Sequence, residues 1–156
     1  MDASVHIVCP HCDTINRVPR ERLINRDAGG GRCGQCHQAL FDGHPVALDT
    51  ARFERNLEKS DVPLVVDFWA AWCGPCHAMA PEFERAAATL EPEARLVKVN
   101  VDEEPALGER FAVRSIPTIL IALHGRELAR IAGARSAAQV VEWVRRELSR
   151  LNVHST

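Results

Sequence analysis

The 156-residue chain has no long apolar run: the longest, "FWAAWC" at residues 68–73, falls far short of the roughly 20 residues that cross a bilayer. A membrane-spanning helix is excluded as a reading, and no membrane partner is expected. Nor is there an excess of positive charge, since 19 Lys and Arg face 21 Asp and Glu for a formal net charge of -2. The electrostatic footprint of a nucleic-acid-binding protein is missing, so no nucleic-acid partner is expected. The opening, "MDASVHIVCPHC", lacks a basic n-region and an apolar h-region and does not read as a secretory signal. The expectation is a mature chain that begins here, in the cytoplasm. Beyond three consecutive glycines at 29–31 there is no low-complexity tract, and beyond two short cysteine knuckles there is no internal repeat.

Cysteine occurs in one pattern only. All six lie in Cys-x-x-Cys pairs: Cys9 with Cys12, Cys33 with Cys36, and Cys73 with Cys76. Structural disulfides are rare in a reducing cytosol, so the pairs point to metal or redox chemistry rather than cystine staples. One such pair is half a zinc site or a whole redox site, and the spacing alone does not say which.

Composition divides the chain at about residue 42. Residues 1–42 hold four of the six cysteines, as many Arg as acidic residues, and an apolar set (Val5, Ile7, Val8, Ile15, Val18, Leu23, Ile24, Leu40, Phe41) too small to form a core. Such a segment needs a metal, disulfides or a neighbour to stay folded. Residues 43–156 are regular. "PVALD" (45–49) reads as a short strand, and Asp49 or Thr50 caps a helix carrying Phe53 and Leu57. "PLVVDFWA" (63–70) is an almost continuous apolar run, as in a strand covered on both faces, with Asp67 its single charge. A helix from about Pro75 to Leu90 follows, which Pro81 is expected to kink. In "RLVKVNVD" (95–102) valines alternate with polar residues, and Leu96 breaks the pattern, leaving its burial open. A short helix around residues 105–111, a buried strand in "SIPTILIAL" (115–123), a turn at "HGR" (124–126) with Gly125 supplying any positive φ, a strand in "ELARIAG" (127–133) and an amphipathic helix over 136–151 complete the order. Parallel crossovers come first and an antiparallel hairpin last, which implies an α/β fold: a mixed central sheet with flanking helices.

The spacing Cys9-x-x-Cys12, twenty residues, Cys33-x-x-Cys36 fits two knuckles closing on one ion. Four thiolates suit a tetrahedral, structural Zn²⁺ without an open position. The expectation is one structural zinc, with His11 and His37 facing solvent and Gly34 giving the second knuckle its tight turn. Cys73 and Cys76 are then left for redox work. They lie between a buried strand and a helix, where unpaired N–H groups and the helix dipole stabilise a thiolate. Cys73 is the expected nucleophile and Cys76 the resolving thiol. Asp67 is a candidate proton acceptor, because a buried carboxylate has a raised pKa. It equally fits a strand end or a structural ion pair with Lys98.

The segments "VDFWAAWCGPC", "VKVNVD", "RSIPT" and "IAGA" resemble the thioredoxin family, in order, from about residue 45 to 150. The N-terminal double Cys-x-x-Cys with "INRVP" and "LFDG" is similar to the zinc-bearing, thioredoxin 2 branch of bacterial thioredoxins. The resemblance implies a thioredoxin domain over 43–156 preceded by a zinc ribbon over 1–42. It implies a protein disulfide reductase that holds no soluble organic cofactor, acts on disulfide-containing proteins and is recharged by thioredoxin reductase; a monomer is expected, though the sequence does not itself fix the oligomeric state. By the same resemblance, Asp67 falls on the family's buried acid and Lys98 on its lysine neighbour. Pro117 matches the cis-proline and Ile116 the backbone that pairs with substrate. Trp72, Gly74 and Pro75 complete the redox motif, and Gly133 and Ala134 line the substrate groove. Trp69 fits plain core packing as well as a functional role. His77 departs from the Lys or Arg usual there, and reads either as a solvated helix residue or as a modifier of the pH profile. Two other functions stay open: a zinc-ribbon binding module on a thioredoxin-like scaffold, and a redox-regulated chaperone or sensor that ejects its zinc on oxidation.

Overall fold

The computed structural model describes residues 4–24 and 30–155, with the side chains of 152–155 not described. Asp27, Ala28 and Gly29 of the glycine-rich "DAGGG" tract lie outside the described residues. The chain forms β1 (Ser4–Val8), β2 (Ile15–Pro19), α1 (Arg20–Ile24), β3 (Val46–Ala47), α2 (Thr50–Lys59) and β4 (Leu64–Trp69). These are followed by α3 (Gly74–Leu90), β5 (Arg95–Asn100), α4 (Pro105–Arg110), β6 (Thr118–Leu123), β7 (Arg126–Ala132) and α5 (Ala137–Ser155).

Five strands make one sheet in the order β3-β5-β4-β6-β7. β4 pairs with β5 in parallel and with β6 antiparallel, so the mixed sheet expected from the element order is present. β4 is central, which explains its uninterrupted apolar run. One of its faces packs Val65 with Met79, Phe83 and Val144 of α3 and α5, and the other packs Val66 and Phe68 with Phe53 of α2. β5 is covered on both faces too: Leu96 joins the first core and Val97 the second. Leu96 breaks the alternation because both faces are buried.

Local sequence sets the element ends. Asp49 caps α2, its carboxylate accepting from Arg52 N at 2.8 Å. Ser136 and Gln139 form a reciprocal capping box at the start of α5, with Gln139 N on Ser136 Oγ at 3.2 Å and Ser136 N on Gln139 Oε1 at 2.9 Å. Pro81 is carried inside α3 rather than ending it. The β6–β7 turn needs two positive φ angles, at His124 (50°) as well as Gly125 (80°), the mirror-image turn that suits strand twist.

The small N-terminal set does not form a core by itself. Val5, Ile7, Val18, Leu40 and Phe41 are buried around Cys9 and Cys33 together with Val62, which comes from the segment leading into β4. β1 meets the starts of β4 and β5. Asp61 N donates to His6 O at 2.9 Å, and Arg95 Nη2 donates to Val8 O at 3.3 Å. Arg95 is buried, stacked on Phe41 at 4.0 Å and 3.9 Å from the carboxylate of Glu91.

Candidate functional site

The chain's chemistry-bearing residues gather at one end of the sheet. β4 and β5 run in parallel, so their C-terminal ends coincide, and the antiparallel pairings bring the start of β6 and the end of β7 to the same edge. The loop after β4, the turn after β5, Ile116-Pro117 and Gly133-Ala134 therefore converge, in the crevice beyond the carboxyl ends of parallel strands where α/β sheets place their sites.

Cys73 and Cys76 are joined as a disulfide with Cα atoms 5.2 Å apart. Cys73 is the N-cap of α3, and its sulfur accepts the N–H of Cys76 at 3.2 Å. Pro75 lies in the first turn, where its missing N–H is not needed. Trp72 stands 72% exposed beside the buried pair, its indole N–H donating to Asp102 at 2.9 Å. A Cβ built on Gly74 would meet nothing within 4 Å, so this side of the disulfide is open. Opposite it, Cys73 Sγ lies 3.8 Å from the carbonyl oxygen of Ile116, and the Ile116-Pro117 bond is cis. Gly133, at φ 97°, donates its N–H to Pro117 O at 2.8 Å, which seats Gly133 and Ala134 beside that loop.

Asp67 is fully buried on β4, and among the described residues neither of its carboxylate oxygens has a hydrogen-bond partner. It shares the sheet face of Val65, the face that packs on α3. Burial pushes Asp67 up to about 7, against the opposing pull of the Lys98 charge. Register places Lys98 directly across from Asp67. No ion pair forms between them among the described residues, and Lys98 Nζ sits 4.8 Å over the ring of Trp69. Trp69 is half-buried, packs on Ala70, Cys73 and Cys76, and lies between Lys98 and His77.

The other four cysteines form a separate cluster, their sulfurs all within 4.8 Å of one another. Cys9 and Cys36 are 3.6 Å apart, and Cys12 and Cys33 3.5 Å. Sulfurs about 2.3 Å from a tetrahedral centre stand roughly 3.8 Å apart, so the set fits a thiolate-bound metal ion. The two knuckles repeat one backbone pattern. Cys9 N donates to Thr14 O and Cys33 N to Gln38 O, both at 2.9 Å, while Asp13 N returns to Cys9 O and His37 N to Cys33 O. The positive φ each turn needs falls on Asp13 (65°) and His37 (66°). The expectation for Gly34 is corrected: its φ is not in the left-handed region, and among the described residues only Asn16 Oδ1, at 3.8 Å, would lie near an added Cβ. His11 and His37 are exposed and outside the sulfur cluster, as expected.

Sequence reasoning missed several supports. Asn16 donates to Cys33 Sγ at 3.4 Å and accepts from Gly34 N at 2.9 Å, tying β2 to the second knuckle. Arg52 of α2 donates to Pro10 O at 2.7 Å and to the Asp13 carboxylate at 2.9 Å, and Arg55 donates to Asp13 O at 2.6 Å. These bonds join residues about 40 positions apart, and no local pattern marks them. Asp102 had a fainter signal, lying in a polar turn just beyond a buried strand.

Comparison with known proteins agrees with this geometry. The family model for thioredoxin matches residues 44–146, and the zinc-ribbon model described as "Thioredoxin 2, N-terminal" matches residues 8–38. The chain is 40% identical to thioredoxin C-3 of Corynebacterium nephridii over 142 residues, covering 91% of this chain and 94% of that protein. It is 42% identical to thioredoxin of Rhodospirillum rubrum over 97 residues, covering 62% of this chain and 93% of that one. The structure resembles that of chloroplastic thioredoxin z with a TM-score of 0.61 at 31% identity, covering 68% of this chain and 96% of that one. With one family model spanning the five-stranded sheet and its redox turn and another spanning the four-cysteine cluster, the chain belongs to the thioredoxin family and is a thiol-disulfide oxidoreductase that reduces protein disulfides.

Proposed function

We propose that the reduction of protein disulfides runs through Cys73 as nucleophile, Cys76 as resolving thiol and Asp67 as the group that takes the resolving proton. The observation that carries this reading is the placement of Cys73. It caps a 17-residue helix, within disulfide reach of Cys76, at the open end of a strand bearing a buried carboxylate with no hydrogen-bond partner among the described residues.

In the dithiol form the Cys73 thiolate attacks one sulfur of a substrate disulfide. A Cys73–substrate bond forms, the substrate S–S bond breaks, and the first substrate thiolate leaves and takes a proton. Cys76 then gives its proton to the Asp67 carboxylate and attacks Cys73 Sγ. The mixed disulfide breaks, the second substrate thiol leaves, and the Cys73–Cys76 disulfide remains. Two electrons have moved from the chain to the substrate, and the family's reductase returns them. A carboxyl near pH 7 is poised for that transfer. Lys98 modulates it by favouring the ionised form. Trp72, Ile116, Pro117, Gly133 and Ala134 bind the substrate strand, and Gly74 and Pro75 shape the turn.

The four N-terminal cysteines hold one structural Zn²⁺ in this reading. Backbone N–H groups of His11 and Gln35 point at Cys9 and Cys33 sulfurs at 3.4 Å, as they do toward metal-bound thiolates. The ion supplies stability and no chemistry at the redox turn. Residues 1–42 are the ribbon unit and 43–156 the thioredoxin unit. Tetrathiolate chemistry suits the reducing cytoplasm. Among the described residues the exposed large apolar side chains are Ile15, Ile24 and Trp72, which suits a monomer. The binding-module alternative leaves the redox turn unused and is not favoured.

The test is insulin reduction with dithiothreitol as the electron source. Cys73→Ser is expected to abolish catalysis, while Cys9→Ser leaves turnover per folded molecule intact. Catalysis surviving in Cys73→Ser would overturn the nucleophile assignment.

A further inference from the structure

His77 directly follows the redox pair, and its side chain does more than face solvent. The ring Nε2 lies 2.6 Å from the carbonyl oxygen of Ala71. A carbonyl only accepts, so Nε2 carries the hydrogen and donates it. The His77 backbone N–H meanwhile donates to Cys73 O at 3.3 Å, the ordinary helical bond. The side-chain bond therefore spans the whole turn, tying the residue before Trp72 to the residue after Cys76. The imidazole also stands edge-on to Trp69, ring centroids 6.3 Å apart at 76°, which limits its swing. Trp72 is thus held twice, through its own indole N–H on Asp102 and through the carbonyl of the residue that precedes it.

We propose that His77 is a positioning residue for exchange with protein disulfides. Its Nε2–H clasps Ala71, fixes the backbone entering Trp72, and keeps the exposed indole set for a polypeptide that docks beside Cys73. The inference rests on the reading of Cys73 as the attacking thiol and Trp72 as part of the substrate surface. A pre-set indole forfeits less conformational freedom when a polypeptide lies against it. A small disulfide makes no such contact and gains nothing from the clasp. His77 therefore determines how well protein disulfides are engaged and leaves the thiol chemistry itself alone.

The experiment compares the fully reduced wild type with His77→Leu and His77→Gln, using insulin and the small disulfide 5,5′-dithiobis(2-nitrobenzoate) as oxidants. Leu removes the donor, whereas the Gln amide carries an N–H to about the position of Nε2. The expected result is that His77→Leu slows insulin reduction about fivefold, the loss of one net hydrogen bond. In this single turnover the loss appears in the insulin concentration that half-saturates the rate rather than in the limiting rate, the small-disulfide rate shifts less than twofold, and His77→Gln recovers most of the insulin rate. Equal losses with both oxidants would mean that the ring acts on the thiol, and would overturn the proposal. So would an unchanged insulin rate, or failure of Gln to restore it. A Cys73→Ser protein that reduced both oxidants would instead sink the underlying nucleophile assignment, so the two failures are distinguishable.

Discussion

Asp67 carries a cost of burial that depends on pH. A carboxyl at about 7 in the folded protein against 3.8 in the unfolded chain binds its proton more tightly when folded. Below about pH 4 both states are protonated and there is no penalty. As pH rises from about 4 to about 7 the carboxyl ionises in the unfolded chain while the folded chain keeps its proton, and stability falls by about 4 kcal/mol in total before levelling off. Asp67→Asn should therefore stabilise the protein, and by about 2 kcal/mol more at pH 8 than at pH 5.5. Comparing the two proteins isolates this from Glu91, which burial also pushes up to about 7. The same variant should release a trapped Cys73 mixed disulfide more slowly, and lose the rise in that rate through pH 7. Denaturant melts at the two pH values and stopped-flow resolution kinetics check both parts. A variant no more stable at pH 8, with an unchanged resolution profile, would remove Asp67 from the mechanism. The lone charge in "PLVVDFWA" was legible in the sequence because it interrupts a doubly covered strand. The absent ion pair with Lys98 was not, because the partner's choice of the Trp69 ring depends on how three side chains meet across two strands.

At the scale of elements, α2 does two jobs. Its inner face buries Phe53 and Leu57, while Arg52 and Arg55 hold the first knuckle by its Pro10 and Asp13 carbonyls and the Asp13 carboxylate. The second knuckle is held from within the ribbon, by Asn16. Arg52→Ala should cost about 1–2 kcal/mol, because its bonds are charge-assisted but about a third exposed. Thermal melts should fall by a few degrees, and a chelator should strip the metal faster, with insulin turnover unchanged. Metal release at the wild-type rate would show that the arginine merely decorates the knuckle. The amphipathic period of α2, its Asp49 cap and the run of β4 were all readable, since each is encoded within a few residues. The knuckle turns were readable only in part. Cysteine spacing located them, but their left-handed residues are Asp13 and His37, and nothing in those residue types distinguishes them from the more permissive Gly34.

For the whole molecule, the ribbon is docked rather than tethered. Val62 completes its small core, Arg95 reaches from β5 to the carbonyl next to Cys9, and Asp61 joins His6 of β1 to His124 of the far hairpin, accepting from His124 Nε2 at 2.9 Å. The sequence announced the order of elements from residue 45 on, but of the N-terminal segment only its cysteine knuckles and not the β1–β2 hairpin or α1. It did not announce this seam, because every contact across it links residues tens to scores of positions apart. The seam gives the metal a reach beyond its own ligands: removing it should destabilise residues that pack on the thioredoxin half, without touching the redox turn at the other end of the sheet. The claim that joins all three scales is a division of labour, four cysteines for a metal and two for electrons. The measurement that tests it most directly counts bound zinc and free thiols on the native, reduced, zinc-loaded protein after one equivalent of a mild oxidant per chain. One zinc should stay bound while peptide mapping finds Cys73 and Cys76 as the disulfide. Zinc released as the oxidant is consumed, with Cys9, Cys12, Cys33 or Cys36 in the new disulfide, would contradict it.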